Sequence, residues 1–229
     1  MSKQFWGILA AIVLVFAGIF IFSGNNKGNT SSSSGNAKPT AHIEGLGQSG
    51  VTLVEYGDYE CPYCEEYSPV VKQVQQEFNN QIFFQFRNFP LVSIHQNAFA
   101  GARAAEAAGL QGKFWEMHDA LYDSSNWQVW STSNDPTPYF YEYAQQLGLN
   151  ATKFKQDFAG QAVNNAIVAD EGAGNKLGIN GTPTFYLDGK QVSPQPTVAS
   201  FESLLKAEIA KKTAAQTKST TSTTSTPKQ

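Results

Sequence analysis

Apolar and polar positions change rhythm several times along the chain, and the changes predict an order of elements. VTLVEY (51–56) is β-rich, with Val51 and Leu53 on alternate positions. From Glu65 to Phe78 the apolar residues Tyr67, Val70, Val71, Val74 and Phe78 fall at helical spacing, and Pro62 suits the first turn of that helix. IFFQFR (82–87) predicts a second strand, and a β-α-β order implies a parallel pair joined by a right-handed crossover. Four helical stretches follow, over 95–108, 112–122, 138–147 and 152–177, the last interrupted near Gly160. TFYL (184–187), an Asp188-Gly189 turn and Gln191-Val192 predict a hairpin, and 197–210 a closing helix with Phe201, Leu204, Leu205 and Ile209 on one face.

The ends read differently. Residues 5–22, FWGILAAIVLVFAGIFIF, carry no charge; at about 1.5 Å per residue such a helix spans nearly 30 Å, the hydrocarbon thickness of a bilayer. A cleaved signal peptide is the rival reading, but the run ends in Phe20, Ile21 and Phe22 where a cleavage site needs small residues. The expectation is a cytoplasmic leader (1–4), a transmembrane anchor (5–22) and nearly the whole chain outside the cell membrane. Residues 23–50, rich in Gly, Ser, Asn and Thr, predict a flexible linker, and the Ser/Thr-rich end (211–229) a disordered tail. Between them, 51–210 has the size of one domain.

That domain holds nine Lys and Arg against eighteen Asp and Glu, nine minus eighteen giving a net of −9. With Arg only at Arg87 and Arg103, it is no nucleic-acid binder. Both cysteines of the chain lie in DYECPYCE (58–65). A zinc site needs about four ligands, and His42, His95 and His118 are scattered, so no metal is expected. A static disulfide across so short a loop stabilises little, and packing does not explain two thiols flanking a Pro-Tyr pair. A redox pair does. A helix starting at this motif points its free N–H groups and the positive end of its dipole at Cys61, favouring the thiolate that attacks disulfides, with Cys64 one turn in to resolve the product.

NGTPTF (180–185) places Pro183 at the entry of the late strand. With the βαβ–ββα order, it resembles the cis-proline loop beside the active disulfide of thioredoxin-like proteins. Together VEYGDYECPYC, FRNFPL followed by His95, QGKFWEMHDALY and GINGTPTFYLDG resemble the DsbA family, in its membrane-anchored branch typified by BdbD of Gram-positive bacteria. The resemblance covers 51–210. It implies an α/β thioredoxin-like fold with an inserted all-helical subdomain at about 93–178. It also implies Cys61 as exposed nucleophile, Cys64 as buried partner, Glu55 as the acid that exchanges protons with Cys64, and a cis Pro183. Thr182, Pro62 and Tyr63 would meet the substrate.

The implied reaction puts disulfides into reduced exported polypeptides without a cofactor. A quinone-linked membrane partner of the DsbB or vitamin-K-epoxide-reductase type would restore the disulfide. Direction stays open at this point, because Asp58, Glu60, Glu65 and Glu66 crowd the motif and oppose a thiolate if they lie close. Reductase or isomerase action on the same fold, and a non-redox binding module, are the alternatives. His95 and His118 are expected only to start or pack a helix.

Overall fold

The computed structural model describes residues 38–223. The leader, the anchor, residues 23–37 of the linker and 224–229 of the tail lie outside the described residues. Among the described residues, no helix is long and apolar enough to cross a membrane.

A five-stranded sheet forms the centre. Its strands are β1 (His42–Glu44), β2 (Val51–Gly57), β3 (Ile82–Asn88), β4 (Thr184–Leu187) and β5 (Lys190–Val192), in the spatial order β1-β3-β2-β4-β5. Only β2 and β3 run parallel, joined by α1 (Pro62–Phe78); the other pairings are antiparallel. This is the expected thioredoxin-like βαβ–ββα core. The β4–β5 turn uses Asp188 and Gly189, both at positive φ (47° and 79°), as a two-residue hairpin requires.

Between β3 and β4 lie six helices: α2 (Ala98–Gly109), α3 (Phe114–Tyr122), α4 (Ser124–Trp130), α5 (Thr137–Gln146), α6 (Ala151–Phe158) and α7 (Gln161–Lys176). They form the expected all-helical insertion. α2 is the hinge of its packing. Seven of its buried positions are Ala or Gly, so α3 and Trp130 approach closely; a methyl group on Gly101 would stand 3.3 Å from the Trp130 ring. α4 was not expected, since seven residues give no readable period, but Asp123 caps it by accepting from the N–H groups of Ser125 and Asn126.

Two boundary expectations are corrected. The flexible linker was to run to residue 50, yet residues 42–44 form β1 on the otherwise open edge of β3. Polar anchoring explains this. The Thr40 N–H and hydroxyl both donate to Asp170, at 2.7 Å each. His42 meets the buried Glu106 at 2.8 Å and stacks on Phe114 with ring centroids 3.5 Å apart. The tail was to be disordered from 211, yet α8 (Val198–Thr223) runs on to Thr223. Phe201 and Leu205 seat its first turns in the core, and beyond them Lys212 pairs with Asp188 at 2.9 Å and donates to the Gly50 carbonyl.

Among the described residues, Asp170 on α7 is the most heavily engaged buried carboxylate. It accepts from Thr40, from the Asn88 backbone and side chain, and from Arg87 at 3.2 Å. Asp170→Ala strands a largely buried guanidinium together with these donors. The expected cost is about 3–5 kcal/mol of stability, read from urea denaturation with reductant present.

Candidate active site

β2 delivers the first group. Side chains alternate across a strand, so Glu55 shares the face of Val51 and Leu53, which is turned into the main core. Across the ladder its neighbours are Phe86 on β3 and Phe185 on β4. Glu55 is 3% exposed. Burial first, and then the negative charge of Cys61, push its pKa up to about 8. Gly57, two residues on, keeps this space open: a methyl group there would stand 2.4 Å from the Phe86 ring and 3.3 Å from a Glu55 carboxyl oxygen.

Leaving β2, the chain bends through residues 58–60 and enters α1 with Cys61 at the N-cap and Pro62 in the first turn. The cap has no side-chain acceptor of its own; the sulfur of Cys61 sits where a capping oxygen would. Cys61 was expected to be exposed; it is instead buried, 3% exposed, because its thiol turns under the Thr182 loop and donates to the Thr182 carbonyl at 3.3 Å. As a thiolate it is held down to a pKa of about 6. The Cys64 thiol donating to it is the largest cause; burial opposes, and the Thr182 side chain and the backbone N–H groups of Cys64 and Tyr63 assist. Cys64 is fully buried, and burial, the hydrogen bond to Cys61 and the charge of Cys61 push its thiol well above the ordinary range. One sulfur is made acidic and the other is kept protonated by the same hydrogen bond.

The Thr182–Pro183 peptide is cis. The fold thus brings Cys61, Cys64, Glu55 and Thr182-Pro183 together, while Pro62 and Tyr63 face outward, Tyr63 being 63% exposed. Among the described residues, no group of three or more His, Cys, Asp or Glu side chains is placed to hold a metal ion.

The acidic crowding read from the motif is corrected. Asp58 is buried and fully engaged: Oδ2 accepts from the Leu91 N–H at 2.8 Å and meets His95 Nδ1 at 2.7 Å, while Oδ1 accepts from the Glu60 N–H at 2.8 Å. Glu60 turns away to accept from the Asn97 N–H. No carboxylate is among the main influences on Cys61. His95 was expected merely to begin a helix; it is instead the ring partner of Asp58. A carboxylate three residues before Cys61 and a histidine in the turn after β3 carried that signal, but only the fold pairs them. Trp127, one of the aromatic residues expected to pack the helical block, also reaches the motif: its indole N–H donates to the Tyr59 carbonyl at 2.8 Å, fixing the bend before it.

A family model described as Thioredoxin matches residues 37–207. Among curated proteins, the chain is 35% identical over 152 residues to a Na(+)/H(+) antiporter NhaA 1 of Mycolicibacterium gilvum, covering 66% of this chain and 24% of that protein. It is 36% identical over 151 residues to an NhaA 1 of Salinispora arenicola, covering 66% and 22%. The chain therefore spans about a quarter of the length of these curated relatives. Among solved structures, a thioredoxin-like oxidoreductase from Silicibacter pomeroyi superposes with TM-score 0.62 at 26% identity, covering 75% of this chain and 93% of that one. BdbD from Bacillus subtilis gives 0.63 at 22% identity, covering 76% and 97%. Wolbachia pipientis α-DsbA1 gives 0.68 at 19%, covering 79% and 96%. The last two likenesses speak for the fold.

The raised Glu55 fixes the sign of a pH effect. Folding holds this carboxyl protonated above its ordinary pKa of 4.5, so the native state loses stability as pH climbs from 4.5 towards 8. Glu55→Gln removes that loss. Urea denaturation of the dithiol form should show little change at pH 4 and a gain that grows to a plateau near pH 8, on the order of a few kcal/mol. A pH-independent difference would contradict the placement of this carboxyl.

Proposed function

The chain belongs to the thioredoxin family, in its DsbA-like form, and from that premise we propose that it is a thiol–disulfide oxidoreductase that introduces disulfides into exported proteins. One observation carries the thiol–disulfide exchange in this reading: a cysteine at a helix N-terminus, lowered to about pKa 6, hydrogen-bonded to a second cysteine that is held protonated beside a buried carboxyl. A sulfur that leaves readily as thiolate makes its disulfide easy to open.

In the working form Cys61 and Cys64 share a disulfide. A substrate thiolate attacks Cys61 and forms a mixed disulfide, and Cys64 leaves and takes a proton from Glu55. The substrate's second thiolate then attacks its own sulfur in the mixed disulfide and expels Cys61 as thiolate. Two electrons have passed from substrate to protein, and the substrate leaves with a new disulfide. Thr182, whose carbonyl accepts from the Cys61 thiol, and Pro183, Pro62 and the exposed Tyr63 meet the substrate in this reading. Val92 and Ile94, on the loop held by Asp58 and Glu60, add exposed apolar surface. Such a surface suits unfolded polypeptide.

The setting follows from the sequence reading. The apolar run 5–22 anchors the protein to the cell membrane with its catalytic domain outside, and a quinone-linked membrane reoxidase of the DsbB or vitamin-K-epoxide-reductase type returns the dithiol to disulfide. A second reading, reductase or isomerase, is favoured by one value. Cys61 at about 6 lies nearer the thioredoxin thiol, about 7, than that of DsbA, about 3.5.

Equilibration of the full chain with glutathione separates the two. The oxidase reading expects a potential between that of thioredoxin, about −270 mV, and that of DsbA, about −120 mV, together with reactivation of a reduced, disulfide-requiring substrate that Cys61→Ser abolishes. A potential at or below thioredoxin's, or reactivation that survives Cys61→Ser, removes the oxidase assignment.

A further inference from the structure

The thiol of Cys64 and the carboxyl of Glu55 both lie in the interior, so a proton moved between them must still reach solvent. Beside them lies a set of polar atoms that the chemistry above does not use. The Tyr59 hydroxyl, the Tyr122 hydroxyl and His118 Nε2 are all buried, and none has a hydrogen-bond partner among the described residues. Buried polar groups without protein partners are rare, and internal water commonly serves them. These three are also mutual neighbours. The Tyr59 and Tyr122 rings lie 4.9 Å apart between centroids, His118 and Tyr122 5.1 Å, and Tyr59 and His118 5.6 Å.

The set has an inner and an outer end. At the inner end, the charges of Cys64 and Glu55 are the two largest electrostatic influences on Tyr122, and Glu55 also acts on Tyr59. No hydrogen bond relieves the burial of Glu55 itself. At the outer end, the His118 ring turns its other nitrogen, Nδ1, to Asp119 at 3.5 Å. Asp119 is partly exposed and pairs with Lys72. A neutral imidazole with N–H on Nδ1 leaves Nε2 free to accept, and burial favours the neutral form of this ring. Glu106, His42 and Asp170 lie around the cluster on other elements, but their own hydrogen bonds occupy them.

Resting on the thiol–disulfide reading above, we infer that Tyr122, Tyr59 and His118 form a water-bridged proton relay that connects Glu55 to solvent at Asp119. When the dithiol is oxidised, Glu55 first passes its own proton through the two hydroxyls and the imidazole to the surface. The carboxylate so formed takes the proton of the Cys64 thiol, and the resulting thiolate attacks the mixed disulfide at Cys61, freeing the second thiol and leaving Glu55 protonated again. When a substrate is oxidised, the same path runs inward. The three side chains are positioning residues, because none touches the reacting sulfurs or the substrate.

Glutathione disulfide resolves the two steps on the full chain. Cys61 attacks it, releasing one glutathione and leaving a glutathione mixed disulfide; Cys64 then displaces the second glutathione. Rapid quenching and mass spectrometry follow both. Tyr122→Phe and His118→Phe keep the aromatic packing and remove only the relay atoms. The expected result is an unchanged first step and a second step slowed by about 10-fold or more, with a larger slowing in D2O than the wild type shows. Retention of the wild-type second step by both variants, or equal slowing of both steps, overturns the relay and leaves the redox reading intact. Absence of the first step in the wild-type chain would remove the redox reading itself.

Discussion

One buried carboxylate organises the junction on which the site depends. Asp58 sits between β2 and α1, and its backbone N–H reaches the Cys64 sulfur at 3.5 Å while its carbonyl accepts from the Cys61 N–H at 3.1 Å. Its side chain gathers the Glu60 and Leu91 amides and the His95 ring. The strand-to-helix turn, the loop after β3 and the motif itself are thus tied to a single side chain. Removing one partner of such a buried set leaves others unpaired, so the parts stand or fall together.

The chemistry rests on asymmetry imposed by position. Two thiols three residues apart begin as equals. The helix start exposes one to backbone N–H groups and to Thr182, and the first turn carries the other into the core. Strand alternation then places Glu55 beneath the buried one, walled by Phe86 and Phe185. A carboxyl in that setting stays protonated near neutral pH for want of solvent.

Much of this was legible in the sequence, and the rest was hidden for definite reasons. The β-run before CPYC, the helical spacing after it and the Asp188-Gly189 turn each rest on local rules, and all appear where expected. What failed depends on partners far along the chain. Asp58 looked like one more surface acid because its partners stand at 91 and 95, across α1 and β3. β1 has three residues and no pattern of its own; Asp170 and Glu106, 130 and 64 residues away from their partners Thr40 and His42, hold that segment in place. α8 outran its apolar stripe because Lys212 reaches the β4–β5 turn.

The Thr40–Asp170 contact also has a mechanical meaning. Tension arriving along the chain at residue 38 meets these two short hydrogen bonds first. It then passes through Asp170 into α7 and, by way of Arg87 and Asn88, into the end of β3. The β1–β3 ladder resists in shear beside it. Arg87 and Asn88 are in turn the ladder partners of Tyr56 and Gly57 on β2, so the load spreads across the centre of the sheet before it reaches the Cys61 turn.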